Sequence, residues 1–253
     1  MTTLLADQVA VVTGAGDIGS VVAATLRDHG AKVTVWDRST DVLAQLTSLQ
    51  PDFETDVVDV TDEVATSAAA QRVIKRFDEI DVLVNTAAVA TFAPLAEMTR
   101  ADWQATIDVN LTGVFSCCQA FVPHLTSRGG GSIVNISSIG GLRGEPEFSH
   151  YCASKFGVIG LSESLAREVG PSGVRVNCVC PGAVESTMNT DTMARDARRL
   201  GTSVDDIQKR IEDKTALRRL VQPVDVANAV VFLSSNLASS ITGVAVPVTG
   251  GIF

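Results

Sequence analysis

Positive charge is scarce in this chain: 20 Lys and Arg stand against 29 Asp and Glu, a formal net charge of -9. Phosphate backbones and anionic lipid recruit clustered cations, so neither nucleic acid nor a membrane surface is an expected partner. The pairs Arg198-Arg199 and Arg218-Arg219 lie among acids and read as solvated helix. No basic stretch followed by a signal-length apolar run opens the sequence, and no apolar segment nears the ~20 residues of a membrane span; the expected location is the cytoplasm. The five cysteines, Cys117, Cys118, Cys152, Cys178 and Cys180, fall inside apolar segments rather than at disulfide or zinc spacings. His29, His124 and His150 are scattered without a carboxylate or cysteine pattern beside them, so no metal cage is expected. No repeat or low-complexity linker divides the chain, which leaves a single domain.

Hydrophobic residues make up 45% of the 253, enough for a large core and too many for disorder. Short β-branched runs alternate with longer helical patterns. QVAVVT, AKVTVW, FETDVV, IDVLVN, GSIVNIS, VRVNCV and VAVPV read as strands. Segments 17–29, 39–49, 62–77, 99–125, 149–169 and 223–235 read as helices. Such alternation predicts an α/β fold: a Rossmann-type doubly wound sheet of seven parallel strands with helices on both faces. One charge-dense block, 189–220, interrupts the alternation and reads either as a substrate lid or as a solvated helix pair.

Residues 11–20, VVTGAGDIGS, place Gly14, Gly16 and Gly19 in a G-x-G-x-x-G turn between a strand and a helix. Glycines there permit a tight turn, close backbone approach to a pyrophosphate and close helix-to-strand packing, while the free N–H groups of the helix start face the negative charge. Asp17 and Ile18 lie inside the turn. The next strand ends in Asp37, 18 residues beyond Gly19, where a carboxylate binds ribose hydroxyls and repels a 2'-phosphate. NAD is therefore expected ahead of NADP, with Arg38 placed either to stack on adenine or to accommodate a phosphate.

Tyr151, the only tyrosine, stands four residues before Lys155. Chance alone puts a lysine at that offset about one time in fifty, and the spacing sets both side chains on one helix face. An ammonium beside a phenol favours the phenolate, which suits proton exchange with an alcohol or carbonyl oxygen. Ser137 and Ser138 end the strand upstream; Ser138 is placed to hold that oxygen, and one of the two serines can be a cap alone.

With these motifs the chain resembles the short-chain dehydrogenase/reductase family, in its compact form of about 250 residues. "VAVVTGAGDIG" resembles the cofactor turn, "VVDVTD" the segment in which Asp59 and Val60 hold adenine, and "IDVLVNTAA" the N-N-A-G segment beneath the cofactor, with Asn85 and Ala87. "IDVNLTGVF", "IVNISS", "YCASK" and "VNCVCPGAVESTM" resemble the segments that supply Asn110, Ser138, Tyr151 with Lys155, and the nicotinamide-side residues Pro181, Val184 and Ser186. The resemblance implies that Tyr151 is the general acid/base, that Lys155 lowers its pKa and binds the nicotinamide ribose, that Ser138 orients substrate, and that Asn110 holds a water against Lys155. It also implies a homotetramer built through the helices at 99–125 and 149–169 and the last strand. Three departures stand out: the turn is one residue shorter than the usual T-G-x-x-x-G-x-G, Thr86 and Ala88 replace Asn and Gly of N-N-A-G, and Thr249 replaces the Asp of V-D-G-G.

The leading expectation is an NAD-dependent dehydrogenase interconverting a secondary alcohol and a ketone. The alternatives are an NADPH-dependent 3-oxoacyl thioester reductase and a non-catalytic NAD-sensing binding protein. Arg143, Glu145, Glu147 and His150 make the expected substrate wall polar, favouring a sugar, polyol or small hydroxy acid, with Met188 and Met193 on the opposite side.

Overall fold

The computed structural model describes residues 3–252. Its strands are β1 (Val9–Thr13), β2 (Lys32–Asp37), β3 (Glu54–Val57), β4 (Val82–Asn85), β5 (Gly131–Ile136), β6 (Val174–Pro181) and β7 (Ala245–Val248). All pair in parallel, in the order β3-β2-β1-β4-β5-β6-β7. The chain winds outward from β1 to β3, then returns to the other side of β1 at β4. That reversal opens a crevice at the carboxyl ends of β1 and β4, the usual ligand position in an open parallel sheet.

The helices are α1 (Asp17–Asp28), α2 (Thr40–Leu49), α3 (Glu63–Phe77), α4 (Arg100–Ile107), α5 (Gly113–Arg128), α6 (Ser149–Val169), α7 (Thr187–Leu200), α8 (Val204–Lys214) and α9 (Pro223–Ser234). Strand alternation divides the core into two layers. In β4, Val82 and Val84 face a layer with Val22 and Leu26 of α1 and Val226 and Val230 of α9. Leu83 faces the other layer, with Val73 of α3, Cys117 and Phe121 of α5 and Val158 of α6. All five residues of β1 are buried, as a strand covered on both faces requires.

The helix expected over 99–125 extends further and changes register. It runs from Arg100 to Arg128 with a π turn at Asp108–Thr112 between α4 and α5. At 29 residues this stretch has the length and hydropathy of a membrane-crossing helix, contrary to the expectation that no segment approaches that size. Its Val114, Cys117, Phe121 and Leu125 are nevertheless buried against the sheet and its neighbours. The block at 189–220 forms two helices, α7 and α8, capped by Ser186 and Ser203 and joined by an apolar seam of Met193, Ala197 and Ile207.

Candidate active site

The glycine turn is built by close approaches that only two of its three glycines serve. Gly14 has a φ of +83° and its amide donates to the Trp36 carbonyl at 2.6 Å. A Cβ on Gly19 would lie 1.8 Å from the Gly14 carbonyl oxygen and 2.6 Å from Thr86 Oγ1. Gly16 is different: a Cβ there would meet nothing within 4 Å, and the residue caps α1 without any side-chain bond. Open space beside an uncapped helix N-terminus is what a phosphate needs, so this turn fits a dinucleotide despite its shortened loop.

Three side chains lock the turn in place. Asp37 accepts the Ala15 N–H through one carboxylate oxygen and the Ser39 N–H through the other, each at 2.8 Å. Thr86, where the family resemblance expects Asn, donates its hydroxyl to the carbonyls of Thr13 and Gly14. Asp17 accepts the backbone N–H of Thr187 at 2.7 Å, tying the start of α1 to the start of α7.

Across the crevice, Ser138 follows β5 and caps a short 3-10 turn at Ile139–Gly141, its hydroxyl accepting the Gly140 N–H at 3.0 Å. Ser137 is the structural one of the pair: it donates to the Lys155 carbonyl at 2.9 Å. Tyr151 and Lys155, on the first turns of α6, are 8% and 2% exposed. The Lys155 ammonium donates to the Ile136 carbonyl at 2.9 Å and lies 5.7 Å from the centre of the Tyr151 ring. Burial holds the Lys155 pKa down, from 10.5 to about 8. Burial pushes the Tyr151 phenol up, against the opposing hydrogen bond from Ser138. The expected lowering by Lys155 is not seen: desolvation dominates, and the group that opposes it is Ser138, not the ammonium.

One cleft of about 710 Å³ joins the two halves. Gly14, Gly16, Asp17, Ile18 and Gly19 line its cofactor end, with Asp37, Asp59, Val60 and Ala87 beside them. The Asp59 carboxylate is held low in pKa, chiefly by the Thr61 N–H it accepts. Ser138, Tyr151 and Lys155 line the opposite end together with Pro181, Val184, Ser186 and Met188. Arg143 and Glu145 also reach the cleft and face each other at 3.6 Å.

Five expected site residues do not line the cleft: Glu147 pairs with Arg195 and Arg199, Met193 lies in the α7–α8 seam, and Asn85, Asn110 and His150 are turned elsewhere. Asn85, 2% exposed, points into the α5 layer and donates to Asn135 Oδ1 at 2.8 Å, so it braces the sheet below the cleft. Asn110 is fully buried in the π turn; its side chain accepts the Val89 N–H and donates to the Val89 carbonyl and to Ser154. With both amide hydrogens engaged, it clamps the segment after β4 to Ser154 of α6. His150 is fully buried with Nε2 2.7 Å from Thr91 Oγ1, away from the cleft, because adjacent helical residues project in different directions.

Sequence reasoning missed Phe148, which lines the cleft and stacks on the Tyr151 ring at 4.2 Å. It sits at the N-cap of α6, three residues before Tyr151, within the stretch between Ser138 and Tyr151 that was expected to wall the substrate pocket. Asn189, Thr192 and Asp196 of α7 and Ile211 and Lys214 of α8, all inside the block 189–220 read as a lid or a solvated helix pair, line the cleft, though none was singled out by the sequence.

The comparisons with known proteins agree with this architecture. The sequence model of a family described as Enoyl-(Acyl carrier protein) reductase matches residues 13–252. The chain is 34% identical to the 3-oxoacyl-[acyl-carrier-protein] reductase FabG of Chlamydia muridarum, covering 100% of both. Among solved structures it resembles carveol dehydrogenase from Mycobacterium avium in complex with NAD, with a TM-score of 0.93, 34% identity and 99% of each chain covered. It also resembles an actinorhodin polyketide ketoreductase with NADPH, with a TM-score of 0.92 and 33% identity over 100% of this chain and 99% of that one. By its fold, its motifs and its full-length relatives, the chain belongs to the short-chain dehydrogenase/reductase family of oxidoreductases.

Proposed function

We propose that this oxidoreductase interconverts a secondary alcohol and a ketone with NAD(H), using Tyr151 as general acid/base. The convergence of Ser138, Tyr151 and Lys155 on the same cleft as the glycine turn and Asp37 carries the reading. The turn around Gly16 and the N-terminus of α1 hold the pyrophosphate, and Asp37, with Asp59 and Val60, holds the adenosine half. Pro181, Val184 and Ser186 line the nicotinamide side. The chemistry such a cofactor supplies when bound is hydride transfer.

The protein's own part is proton transfer and orientation. Ser138 positions the substrate oxygen beside the phenol, and Tyr151 takes the hydroxyl proton on oxidation or returns it on reduction. Lys155, held by the Ile136 carbonyl, is the ammonium we propose to favour the phenolate against the burial that pushes its pKa up. Arg143 and Glu145 favour a polar substrate such as a sugar, polyol or hydroxy acid. We further propose one catalytic domain in which 189–220 serves as the lid, a cytoplasmic location, and a homotetramer. The exposed Phe115 on α5 and Phe156 on α6 support that assembly.

A second reading, an NADPH-dependent 3-oxoacyl thioester reductase, is favoured by the full-length likeness to FabG. Assaying NAD and NADP with a panel of alcohols, polyols and hydroxy acids, and NADH and NADPH with a 3-oxoacyl thioester, separates the two, while light scattering on the same sample reads the assembly. Turnover with NAD and a polyol or hydroxy acid, reduced by about 10²–10⁴-fold in Tyr151→Phe, is the expected result. A Tyr151→Phe variant that equals wild type in turnover and still binds NAD would remove the acid/base assignment.

A further inference from the structure

Four side chains from three separate segments form a continuous column that ends on the proposed acid/base. The Arg195 guanidinium on α7 lies 3.6 Å from the centre of the Phe92 ring. Phe92 stacks on Phe148 at 4.2 Å and 12°, and Phe148 stacks on Tyr151 at 4.2 Å and 9°. Both faces of Phe148 are thereby occupied, and the Tyr151 ring has one face fixed by a partner that is itself fixed.

Arg195 and the segment that carries Phe92 are braced by further contacts. Glu147, whose φ of +61° turns the chain sharply just before α6, pairs with Arg195 at 3.8 Å and Arg199 at 3.9 Å. Its carbonyl accepts the Ala93 N–H at 3.0 Å, and His150 holds the adjacent Thr91. Phe92 and Arg195 do not line the cleft, so neither is placed to touch substrate or cofactor.

We infer that Arg195 is a positioning residue for Tyr151, acting from α7 through Phe92 and Phe148 to hold the phenol ring in its reactive orientation. The inference rests on the proposed role of Tyr151 but concerns a separate property, the rigidity and shielding of its ring. Aromatic stacking and cation–π contact both favour the aligned column over a splayed one, and small misplacements at a reacting centre are costly in rate. The guanidinium acts through its cation–π contact with Phe92 rather than through a long-range field at the phenol, since Glu147 and Asp196 pair with it. The groups that act on the phenol are Ser138, by a hydrogen bond, and Cys152 and Cys180, electrostatically, with the Lys155 ammonium 5.7 Å from the ring centre.

Because Tyr151 is the only tyrosine, its exposure can be read without any substrate, from the rate at which tetranitromethane nitrates the protein at mildly alkaline pH. Wild type, Arg195→Met, Arg195→Lys and Phe148→Leu are compared by mass spectrometry, with circular dichroism confirming each fold. Arg195→Met and Phe148→Leu should nitrate several-fold faster, while Arg195→Lys, which keeps a cation over Phe92, should resemble wild type. With the alcohol best used by wild type, Arg195→Met should lower kcat about tenfold and leave the KM for NAD unchanged. Equal nitration of a folded Arg195→Met and wild type would overturn the inference, as would failure of Arg195→Lys to restore the wild-type rate. Failure of wild type to oxidise any alcohol would instead count against the proposed reaction and leave the nitration result to decide the column.

Discussion

Gly16 and Gly19 occupy one turn yet should fail in opposite ways when each acquires a methyl group. In Gly19→Ala the new Cβ would overlap the Gly14 carbonyl oxygen, at 1.8 Å, and crowd Thr86 Oγ1, at 2.6 Å. The first obstacle is backbone, so relief requires α1 to move away from β1. Overpacking of this kind costs about 2–3 kcal/mol, which in a chain of this size lowers Tm by roughly 5–10 °C. In Gly16→Ala the methyl meets no protein atom within 4 Å and φ is -70°, a value alanine adopts freely. Loss of the glycine preference at a helix cap costs about 0.5–1 kcal/mol, a shift of roughly 2–3 °C. The same methyl would stand where a pyrophosphate comes closest, so NAD affinity should fall by about tenfold or more, roughly 1.4 kcal/mol. Differential scanning fluorimetry and isothermal titration calorimetry on the two variants read both quantities. A Gly16→Ala protein that binds NAD as wild type does would refute the placement of the phosphate, and a Gly19→Ala protein with unchanged Tm would refute the packing argument.

Lys155→Met should be inactive and yet more stable at neutral pH. The fall in the Lys155 pKa from 10.5 to about 8 corresponds to about 3 kcal/mol of penalty for keeping the buried ammonium charged; losing its bond to Ile136 returns about 1 kcal/mol of that. Between those two pKa values the unfolded chain binds more protons than the folded one, so the lysine's contribution makes wild-type stability rise with pH in that window. Urea unfolding at several pH values should show this rise in wild type and not in Lys155→Met, and parallel curves would contradict it. Asp37→Ser removes a carboxylate that accepts two backbone N–H groups, and should cost about 1–2 kcal/mol of stability while reducing turnover with NAD more than turnover with NADP. Equal losses with the two cofactors would deny Asp37 a part in choosing between them.

The residues that line the cleft were legible where a simple period governs direction. Asp37 ends a strand at the spacing expected from the glycine turn, and Tyr151 and Lys155 are one helical turn apart; both relations survive folding. The same rules also held the signals for two misplaced residues. In β4, Leu83 faces the α5 layer, so strand alternation sends Asn85 to that side as well, where Asn135, opposite it in register, completes its bond. His150 precedes Tyr151 by one helical position and is rotated by about 100° from it, which directs it toward Thr91 when Tyr151 faces the cleft. Asn110 was less accessible to such reasoning. A π turn inserts a different repeat into an otherwise α-helical pattern, and its partner Val89 lies in a segment without regular structure.

The shortened glycine loop and the acid at the end of β2 are best understood as one device. Asp37 does not simply project toward a ribose: one of its oxygens holds Ala15, inside the loop, and the other holds Ser39, at the start of α2. A loop with one residue fewer has less freedom to find its own shape, and an acceptor fixed on the next strand supplies the missing constraint. The carboxylate that tightens the loop is therefore also the charge that would repel a 2'-phosphate. Two solved structures about one-third identical to this chain over nearly full length hold NADPH and NAD respectively. On the proposed NAD reading, exchanging Asp37 for a smaller or basic residue should release the turn at the same time as it admits the phosphate.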